Sequence, residues 1–351
     1  MARTSQAVVI RPGKESSDTY KLVKDSITTP TPGPGQALVK VQYVAQNPTD
    51  VKSFDNKVFG DGHILGCDFY GTVVEVGSNV TRIAKGDVVA GLIWGGEIKG
   101  LGGYSEYTIA DQNICYKVPP SISGDAASTI PLASGTAWLA LFAKTCLNID
   151  RKNASSQSVL IWGGSSSVGL FAIQLAAIYG IKVVTTCSPR NFDLVRSYGA
   201  SEAFDYRDEK VVEKIRAAVP GLHYVFDTIG EDPSSTIASQ ALTENAPGYL
   251  CTVRPGKACT ENVTKQTVVS DVLVWTVFLK DHSYRDILFW PASKDDHELA
   301  TELFDNLPVW LEQGKIKPNA TKVFDGLDSV TKGFQEFRDG KVSAYKIVYK
   351  L

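Results

Sequence analysis

The stretch Val159-Leu-Ile-Trp-Gly-Gly-Ser-Ser-Ser-Val-Gly-Leu170 decides the fold of this 351-residue chain. It opens with a short, branched, apolar run that ends in glycine, which is typical of a strand buried on both faces of a parallel sheet. Gly163 and Gly164 permit a tight turn, and apolar residues then recur at helical spacing from Ser167 to Tyr179. A strand, a glycine turn and a helix N-terminus bring backbone N–H groups and a positive dipole end to one point. That point suits a pyrophosphate, so the stretch predicts a nucleotide-binding βαβ unit.

The next strand, Lys182 to Cys187, indicates which nucleotide binds. It does not end in the Asp or Glu that would hold the ribose hydroxyls of NAD. A hydroxyl and a guanidinium, Ser188 and Arg190, follow it instead, and this is the chemistry that a 2′-phosphate needs. The sequence therefore predicts NADPH, with its pyrophosphate at the turn of Gly163 and Gly164 and its 2′-phosphate at Ser188 and Arg190. The alternative of a solvated loop arginine without a ligand stays open, since Asp193 is near in sequence.

Composition and charge exclude several classes of protein. The chain is 43% hydrophobic and 21% charged, which are ordinary globular values. A net charge of -2 provides no basic face for nucleic acid. The N-terminus lacks the apolar core of a signal peptide, and no apolar run reaches membrane-spanning length, so we expect a cytoplasmic protein without a membrane partner. Six scattered cysteines indicate reduced thiols, with Cys67 packed in the interior rather than bound to a metal.

The pattern along the chain predicts an α/β fold with two domains. Residues 1–125 contain many short strands, among them Gly103 to Tyr107, and predict a compact β-barrel; the glycine-rich Gly91 to Gly103 is interpreted as a flexible surface loop. Residues 126–291 alternate strands with helices, as a doubly wound parallel sheet requires, and Val272 to Leu279 is taken as a strand of that sheet. Residues 292–351 have no partners in that sheet and are expected to return to the first domain.

The order of these parts resembles the medium-chain dehydrogenase/reductase superfamily over the full length. The landmarks are Gly66 to Gly77, Lys85-Gly86-Asp87, Gly103 to Tyr107, Leu132 to Trp138 and Gly163 to Gly169. The resemblance implies a GroES-like β-barrel catalytic domain at 1–125, a Rossmann nucleotide-binding domain at 126–291, and a segment at 292–351 that completes the catalytic domain.

The resemblance also bears on zinc. Most zinc-dependent members carry a cysteine, a Gly-His-Glu triplet and a second cysteine where this chain has Gln46-Asn47-Pro48, Gly66-Cys67-Asp68 and Ala133-Ser134-Gly135. Without three ligands no catalytic zinc is expected. The chain is therefore placed in the zinc-free branch, which reduces activated double bonds.

Within that branch, Asn47-Pro48-Thr49-Asp50 looks like the motif of quinone and enoyl reductases. The segments Thr186 to Leu194 and Ala203 to Arg207 are most similar to the trans-acting enoyl reductases of fungal polyketide pathways. This resemblance implies reduction of the enoyl thioester of a polyketide intermediate by a monomer that docks beside a polyketide synthase. It also implies the contacts to NADPH, at Thr49, Asp50, Val51, Lys52, Ser165, Ser166, Ser167, Val168, Ser188, Pro189, Arg190, Asn191, Tyr206, Val253, Arg254, Ser343 and Ala344.

Hydride addition to an enoyl thioester leaves an enolate oxygen that a cation or hydroxyl must stabilise. We assign that role to Lys52 and Thr49, with Asn47 as a third catalytic candidate. The acyl chain is expected against Leu132, Thr136, Trp275 and Phe278. Plainer alternatives stay open: Lys52 paired with Asp50 or Asp55 at the surface, Asn47 as a turn cap, and the apolar residues as core.

Two other functions also stay open. One is a quinone or small-enone reductase without a carrier partner. The other is an NADPH-binding protein that has lost catalysis and serves as a structural or regulatory partner.

Overall fold

The computed structural model describes residues 3–13, 19–284 and 287–351. The chain divides into two compact units. Unit 1 comprises Met1–Leu132, Phe304–Glu312 and Pro318–Leu351, and unit 2 comprises Ala133–Leu303 and Gln313–Lys317. In the described part of the chain, no helix is both long and apolar enough to cross a membrane.

The strands of the described residues follow in chain order. They are β1 (Thr4–Pro12), β2 (Tyr20–Thr28), β3 (Gln36–Ala45), β4 (Asp68–Val76), β5 (Val88–Leu92), β6 (Tyr107–Asp111), β7 (Cys115–Lys117), β8 (Ser158–Trp162), β9 (Lys182–Thr186), β10 (Glu202–Phe204), β11 (Tyr224–Asp227), β12 (Gly248–Thr252), β13 (Thr267–Asp271), β14 (His282–Tyr284), β15 (Leu288–Trp290), β16 (Thr321–Asp325) and β17 (Lys346–Lys350).

The α-helices of the described residues are mostly short. They are α1 (Pro48–Asp55), α2 (Gly124–Ser128), α3 (Pro131–Phe142), α4 (Ser167–Ile178), α5 (Phe192–Ser197), α6 (Val211–Ala218), α7 (Ser234–Gln240), α8 (Lys294–Glu312) and α9 (Val330–Arg338).

Unit 1 is built on a mostly antiparallel sheet in the order β16-β17-β3-β4-β5-β7, with β6 also paired to β3. β1 and β2 form a separate antiparallel pair. The side chains of β3 and β4 alternate between the core and the outside, so one face supplies apolar residues such as Val39 and Phe69 to the core of the unit. β17 pairs with β3 through Val348 and Ala45, so the C-terminal strand lies in this sheet.

Unit 2 is built on a parallel sheet in the order β10-β9-β8-β11-β12-β13. The chain first lays strands outward from β8 to β10 and then returns to place β11 on the other side of β8. β8 is therefore the strand next to the topological switch point, where open α/β sheets bind their ligands. Four of its five residues are buried, which agrees with its continuous apolar sequence. The predicted doubly wound sheet is confirmed.

The prediction of a strand at Val272 to Leu279 is wrong. The sixth strand of the sheet is β13, and residues Val274–Val277 form a 3₁₀ turn. This turn is apolar because it is buried: a Cβ on Gly135 in α3 would lie 3.4 Å from Val274, and the His297 ring nitrogen bonds the Val277 carbonyl at 2.7 Å. A short apolar run that is buried on all sides shows neither strand nor helix periodicity. The prediction of a strand therefore depended on the length of the run alone, and that length does not distinguish a strand from a buried turn.

The interpretation of Gly91 to Gly103 as a flexible surface loop is also wrong. Trp94 is 8% exposed, and Gly95 and Gly102 are buried. A Cβ on Gly95 would lie 2.2 Å from the Gly66 carbonyl oxygen. Gly95 and Gly102 are therefore required for close backbone packing.

The strand expected at Gly103 to Tyr107 begins only at its last residue, where β6 starts. The N–H groups of Gly103 and Tyr104 instead donate to the carbonyls of Gly66 and Leu65, at 2.8 and 2.9 Å. These bonds fasten the glycine-rich loop to the segment before β4.

Candidate active site

The glycine turn after β8 is fixed by the end of the neighbouring strand β9. Gly163 has a φ of +86°, which favours glycine. Its N–H donates to the Thr186 hydroxyl at 3.1 Å, and the Gly164 N–H donates to the Thr186 carbonyl at 2.9 Å. Ser166 then caps α4, because its hydroxyl accepts the Gly169 N–H at 2.9 Å.

Side chains cannot replace the glycines of this turn. A Cβ on Gly164 would lie 2.0 Å from the Thr185 hydroxyl, and one on Gly169 would lie 2.4 Å from the Gly163 carbonyl oxygen. The residues that open α4, Ser167 and Val168, are only half-buried. A helix N-terminus with bare backbone beside it is a site for an anionic group such as a pyrophosphate.

Thr228, directly after β11, belongs to the same turn and escaped the sequence analysis. Its hydroxyl lies 2.8 Å from the Trp162 carbonyl, 3.0 Å from the Gly163 carbonyl and 2.8 Å from the Ser166 hydroxyl. Since β8 and β11 are parallel neighbours, their carboxyl ends share one edge. Placing the predicted β11 beside β8 in the strand order would have pointed to this residue.

The segment after β9 carries the predicted phosphate-binding residues. Ser188 precedes a 3₁₀ turn, Pro189–Asn191, in which Arg190 is exposed and Asn191 is buried. The nearest acid in sequence, Asp193, is fully exposed, and its carboxyl lies 4.0 Å from the guanidinium of Arg196.

Three further predicted residues follow the carboxyl ends of β10 and β12. Tyr206 is 46% exposed, and the Arg207 guanidinium lies 5.5 Å from its ring centre. Val253 and Arg254 follow β12, and the Arg254 side chain packs over Gly230, where a Cβ would meet it at 2.3 Å. The parallel sheet therefore brings all the unit 2 residues predicted for the cofactor to one edge.

In unit 1, the catalytic candidates lie at the start of α1. Asn47 is the N-cap; its N–H donates to Asp50 Oδ2 at 2.7 Å, and its side-chain amide donates to Asp68 Oδ2 at 2.8 Å. Thr49 and Lys52 are both half-buried and lie three residues apart, so they share one face of the helix. The first turns of α1 thus carry one hydroxyl residue and one lysine on the same face.

Asp50, by contrast, points into the core of unit 1 and is 1% exposed. Besides the Asn47 N–H, its carboxyl accepts the Gly66 N–H at 3.0 Å, the Cys67 thiol at 3.4 Å and the Tyr104 hydroxyl at 3.2 Å. Burial raises the pKa of Asp50 to about 6 in spite of these donors. Val51 is fully buried as well.

The remaining acid considered as a partner of Lys52 has a partner of its own. Asp55 is bound through both carboxylate oxygens by the guanidinium of Arg338, whose Nε lies 3.0 and 3.1 Å away. Asp55 is thus held by a charged partner from another part of unit 1.

The residues predicted to contact the acyl chain differ in burial. Thr136 in α3 and Trp275 in the 3₁₀ turn are each 7% exposed, Leu132 is 8% exposed and Phe278 is half-buried. The contact between Gly135 and Val274 brings the Thr136 and Trp275 segments of unit 2 together. In unit 1, Leu132 donates its N–H to Asp68 Oδ1 at 2.6 Å.

Ser343 and Ala344, predicted to contact the cofactor, lie in the segment before β17. Ser343 is exposed, and Ala344 has a φ of +57°, an uncommon conformation for a residue with a Cβ. The two residues lie two to three positions before Lys346, the first residue of β17.

A separate cavity of about 750 Å³ in unit 2 lies along the edge strand β13. Its wall includes Cys146, Tyr224, Tyr249 and Trp290. The residues predicted for the cofactor and the acyl chain are all outside its lining.

Two family models match the chain. The alcohol dehydrogenase GroES-like domain matches residues 33–120, and the zinc-binding dehydrogenase domain matches residues 167–283. The chain belongs to the medium-chain dehydrogenase/reductase superfamily. The first match falls in unit 1 and the second in unit 2, in agreement with the predicted GroES-like barrel and Rossmann sheet.

Among relatives in this superfamily, a zinc-type alcohol dehydrogenase-like protein of Schizosaccharomyces pombe is 34% identical, covering 92% of this chain and 94% of the relative. The trans-enoyl reductase ACTTS2 of Alternaria alternata is also 34% identical, with 93% and 95% covered. A solved structure, a putative zinc-dependent alcohol dehydrogenase of Rhizobium etli, matches with a TM-score of 0.81 at 24% identity, covering 100% of this chain and 99% of that one. This last likeness concerns the fold.

The names of several medium-chain relatives mention zinc, but the residues of this chain do not fit a catalytic zinc ion. Burial holds the pKa of the Cys67 thiol well above its ordinary value, and the thiol donates to Asp50. The Asp68 carboxylate is occupied by the Lys346 ammonium at 2.6 Å. Among the residues that the structure describes, three or more His, Cys, Asp or Glu side chains nowhere form a group suited to a metal.

Proposed function

We propose that this chain is an NADPH-dependent reductase of the enoyl thioester of a polyketide intermediate, and that it acts in trans with a polyketide synthase. One observation carries the proposal. The strand β9 ends beside the glycine turn, and the segment that follows it, Ser188-Pro189-Arg190-Asn191, contains no acid. Relatives named trans-enoyl reductase, which match nine-tenths or more of the chain, support the choice of substrate.

The residues of unit 2 fit NADPH. The N–H groups at the start of α4 and the bare backbone of Gly164 and Gly169 would hold the pyrophosphate. Ser188 and Arg190 would hold the 2′-phosphate, and Tyr206, Val253 and Arg254 would contact the rest of the nucleotide at the same edge of the sheet. When bound, the cofactor supplies a hydride.

The residues of unit 1 would stabilise the oxygen of the thioester as its charge grows. The ammonium group of Lys52 and the hydroxyl of Thr49 share one helix face, and an ammonium beside a developing oxyanion lowers the barrier. Asn47 orients the start of the same helix. Because the site has no fitting zinc ligands, we propose that the reduction is zinc-independent.

We also propose that residues 1–125 and 292–351 form the catalytic domain, that residues 126–291 form the nucleotide-binding domain, and that the protein works as a monomer. Sedimentation of the purified protein tests the last point. A concentration-independent monomer mass is expected, and a stable dimer would contradict it.

The preference for NADPH is tested with Arg190→Ala. Since a charge-assisted hydrogen bond contributes about 1.5–3 kcal/mol, KM for NADPH should rise on the order of tenfold or more, while KM for NADH stays unchanged. Arg196→Ala is the matched control, because Arg196 faces Asp193. An equal rise with both nucleotides would contradict the assignment of the 2′-phosphate site.

The catalytic role is tested with Lys52→Ala, using short α,β-unsaturated thioesters as acceptors and the loss of nicotinamide absorbance as the readout. We expect kcat to fall on the order of 100-fold, with Lys57→Ala, an exposed lysine just beyond the same helix, as control. Turnover of free quinones but not of thioesters would favour a quinone reductase. Tight NADPH binding without turnover of any acceptor would favour a non-catalytic partner protein.

A further inference from the structure

Asp68, the first residue of β4, is a fully buried carboxylate with three donors around it. Oδ2 accepts from the Lys346 ammonium at 2.6 Å and from the Asn47 side-chain amide at 2.8 Å. Oδ1 accepts the Leu132 N–H at 2.6 Å. Each donor comes from a different part of the chain.

These three donors belong to segments that the sequence independently predicts for the site. Asn47 opens α1, which carries Thr49 and Lys52. Leu132 is the second residue of α3 and is itself predicted to contact the acyl chain. Lys346 begins β17, two positions after Ala344. One carboxylate therefore connects three segments of unit 1 that are far apart in sequence.

The three donors around Asp68 require an acceptor at both of its oxygens, and an ionised carboxylate provides this. A carboxylate can accept on both oxygens, whereas an asparagine in its place would turn a donor toward one of these three groups. Lys346, 4% exposed, balances the charge and also donates to the Thr129 carbonyl at 3.2 Å, just before α3. Two apolar residues of similar volume often stabilise a core as well as a buried ion pair does, so stability alone does not call for this pair.

We propose that Asp68 is a positioning residue for the reaction, with Lys346 as its counter-ion: it fixes the Asn47 side chain and the N-terminal turn of α3. The assignment of a role in turnover rests on the proposed function. The fixing of the two segments does not, because it is a property of the protein without substrate.

The test replaces the ion pair by an apolar pair, Asp68→Leu with Lys346→Met, so that no charge is left unpaired. Hydrogen–deuterium exchange is measured without nucleotide or acceptor. We expect faster exchange in the peptides that cover 45–55 and 129–134, with exchange in β1 and β2 unchanged and cooperative thermal unfolding retained. Lys322→Met, which breaks the ion pair with Glu336 on the same unit, is the matched control and should change neither peptide.

The kinetic arm uses the same variants with an enoyl thioester. We expect kcat to fall on the order of 100-fold, because misplacement of a positioned group by about 1 Å has this effect. Asn47→Ala should lower kcat as well, and combining it with the double substitution should add little. Lys346→Arg, which keeps the charge, should retain most of the activity.

Two results would overturn the proposal. One is unchanged exchange in both peptides of the folded double variant, and the other is full additivity with Asn47→Ala. If the double variant does not fold, the exchange comparison uses Asp68→Asn, which turns a donor toward one of the three groups, and Asn47→Ala, which removes one donor. Protection unchanged in both segments overturns the proposal equally. If the wild-type protein reduces no thioester, the proposed function fails, while the exchange data still decide whether Asp68 fixes the two segments.

Discussion

Asp50 is a buried acid of unit 1 whose ionised form is disfavoured by burial. Its carboxyl has the donors that an ionised group needs, yet desolvation raises its pKa from 3.8 to about 6. The folded protein therefore binds a proton at Asp50 more tightly than the unfolded chain does. The contribution of this residue to stability is greatest below about pH 4 and is lost as the pH rises through about 6.

This linkage predicts a difference between the wild-type protein and Asp50→Asn. Between pH 4 and pH 7 the free energy of unfolding of the wild type should lose about 2 kcal/mol that the variant does not lose. Denaturant titrations across this range measure it, with the fully exposed Asp193→Asn as control. A variant with the same pH dependence as the wild type would show that Asp50 does not titrate in this way.

In this region the sequence predicts which segment carries the candidate residues, but not which way each side chain points. Asn47 to Lys52 was predicted as one functional segment from its motif. The inward orientation of Asp50 was not, because its partners Gly66 and Tyr104 become neighbours only when the glycine-rich loop packs against the segment before β4. Lys346 carries no signal in the sequence at all: a lysine at the start of a strand is usually exposed, and here it is buried against Asp68.

At the scale of single elements, the bounds of β8 and the start of α4 agree most closely with the sequence prediction. The strand is Ser158–Trp162 and the helix starts at Ser167, as predicted. The alternation of a buried strand, glycines and a helical repeat is local, so it can be recognised from the sequence alone. Val272 to Leu279 failed for the opposite reason, since its burial depends on α3 and on His297.

The glycine turn gives a prediction of its own. Gly169→Ala should destabilise unit 2 by about 1–3 kcal/mol, because its Cβ would lie 2.4 Å from the backbone oxygen of Gly163. Gly135→Ala in α3 is the matched control: its Cβ meets only Val274 at an ordinary 3.4 Å, and alanine is the better helix former. Thermal unfolding and NADPH affinity of both variants give the measurement. Equal stability of the two variants would show that the turn tolerates a side chain.

At the scale of the whole molecule, the order of a barrel, a parallel sheet and a returning strand was predictable because each part has its own periodicity. The superfamily models confirm this architecture. The sequence does not predict which strands pair in the sheet of unit 1. β17, for example, pairs with β3, and some 300 residues of chain separate the two strands.

A further prediction for the whole molecule concerns its response to a zinc chelator. Because Lys346 occupies Asp68 and the Cys67 thiol donates to Asp50, incubation with a strong zinc chelator should leave the reductase activity unchanged. The control is a zinc-dependent alcohol dehydrogenase in the same buffer, which should be inhibited. Loss of activity that added zinc restores would contradict the zinc-independent reaction.

The central claim is that this protein moves hydride from NADPH to an enoyl thioester. The most direct measurement incubates the purified protein with NADPH carrying deuterium at both C4 positions and with an α,β-unsaturated thioester, followed by mass spectrometry of the acyl chain. We predict a saturated thioester that has gained one deuterium at the β-carbon and one proton from solvent. A thioester recovered unsaturated and unlabelled, with the protein folded and NADPH bound, would contradict the account.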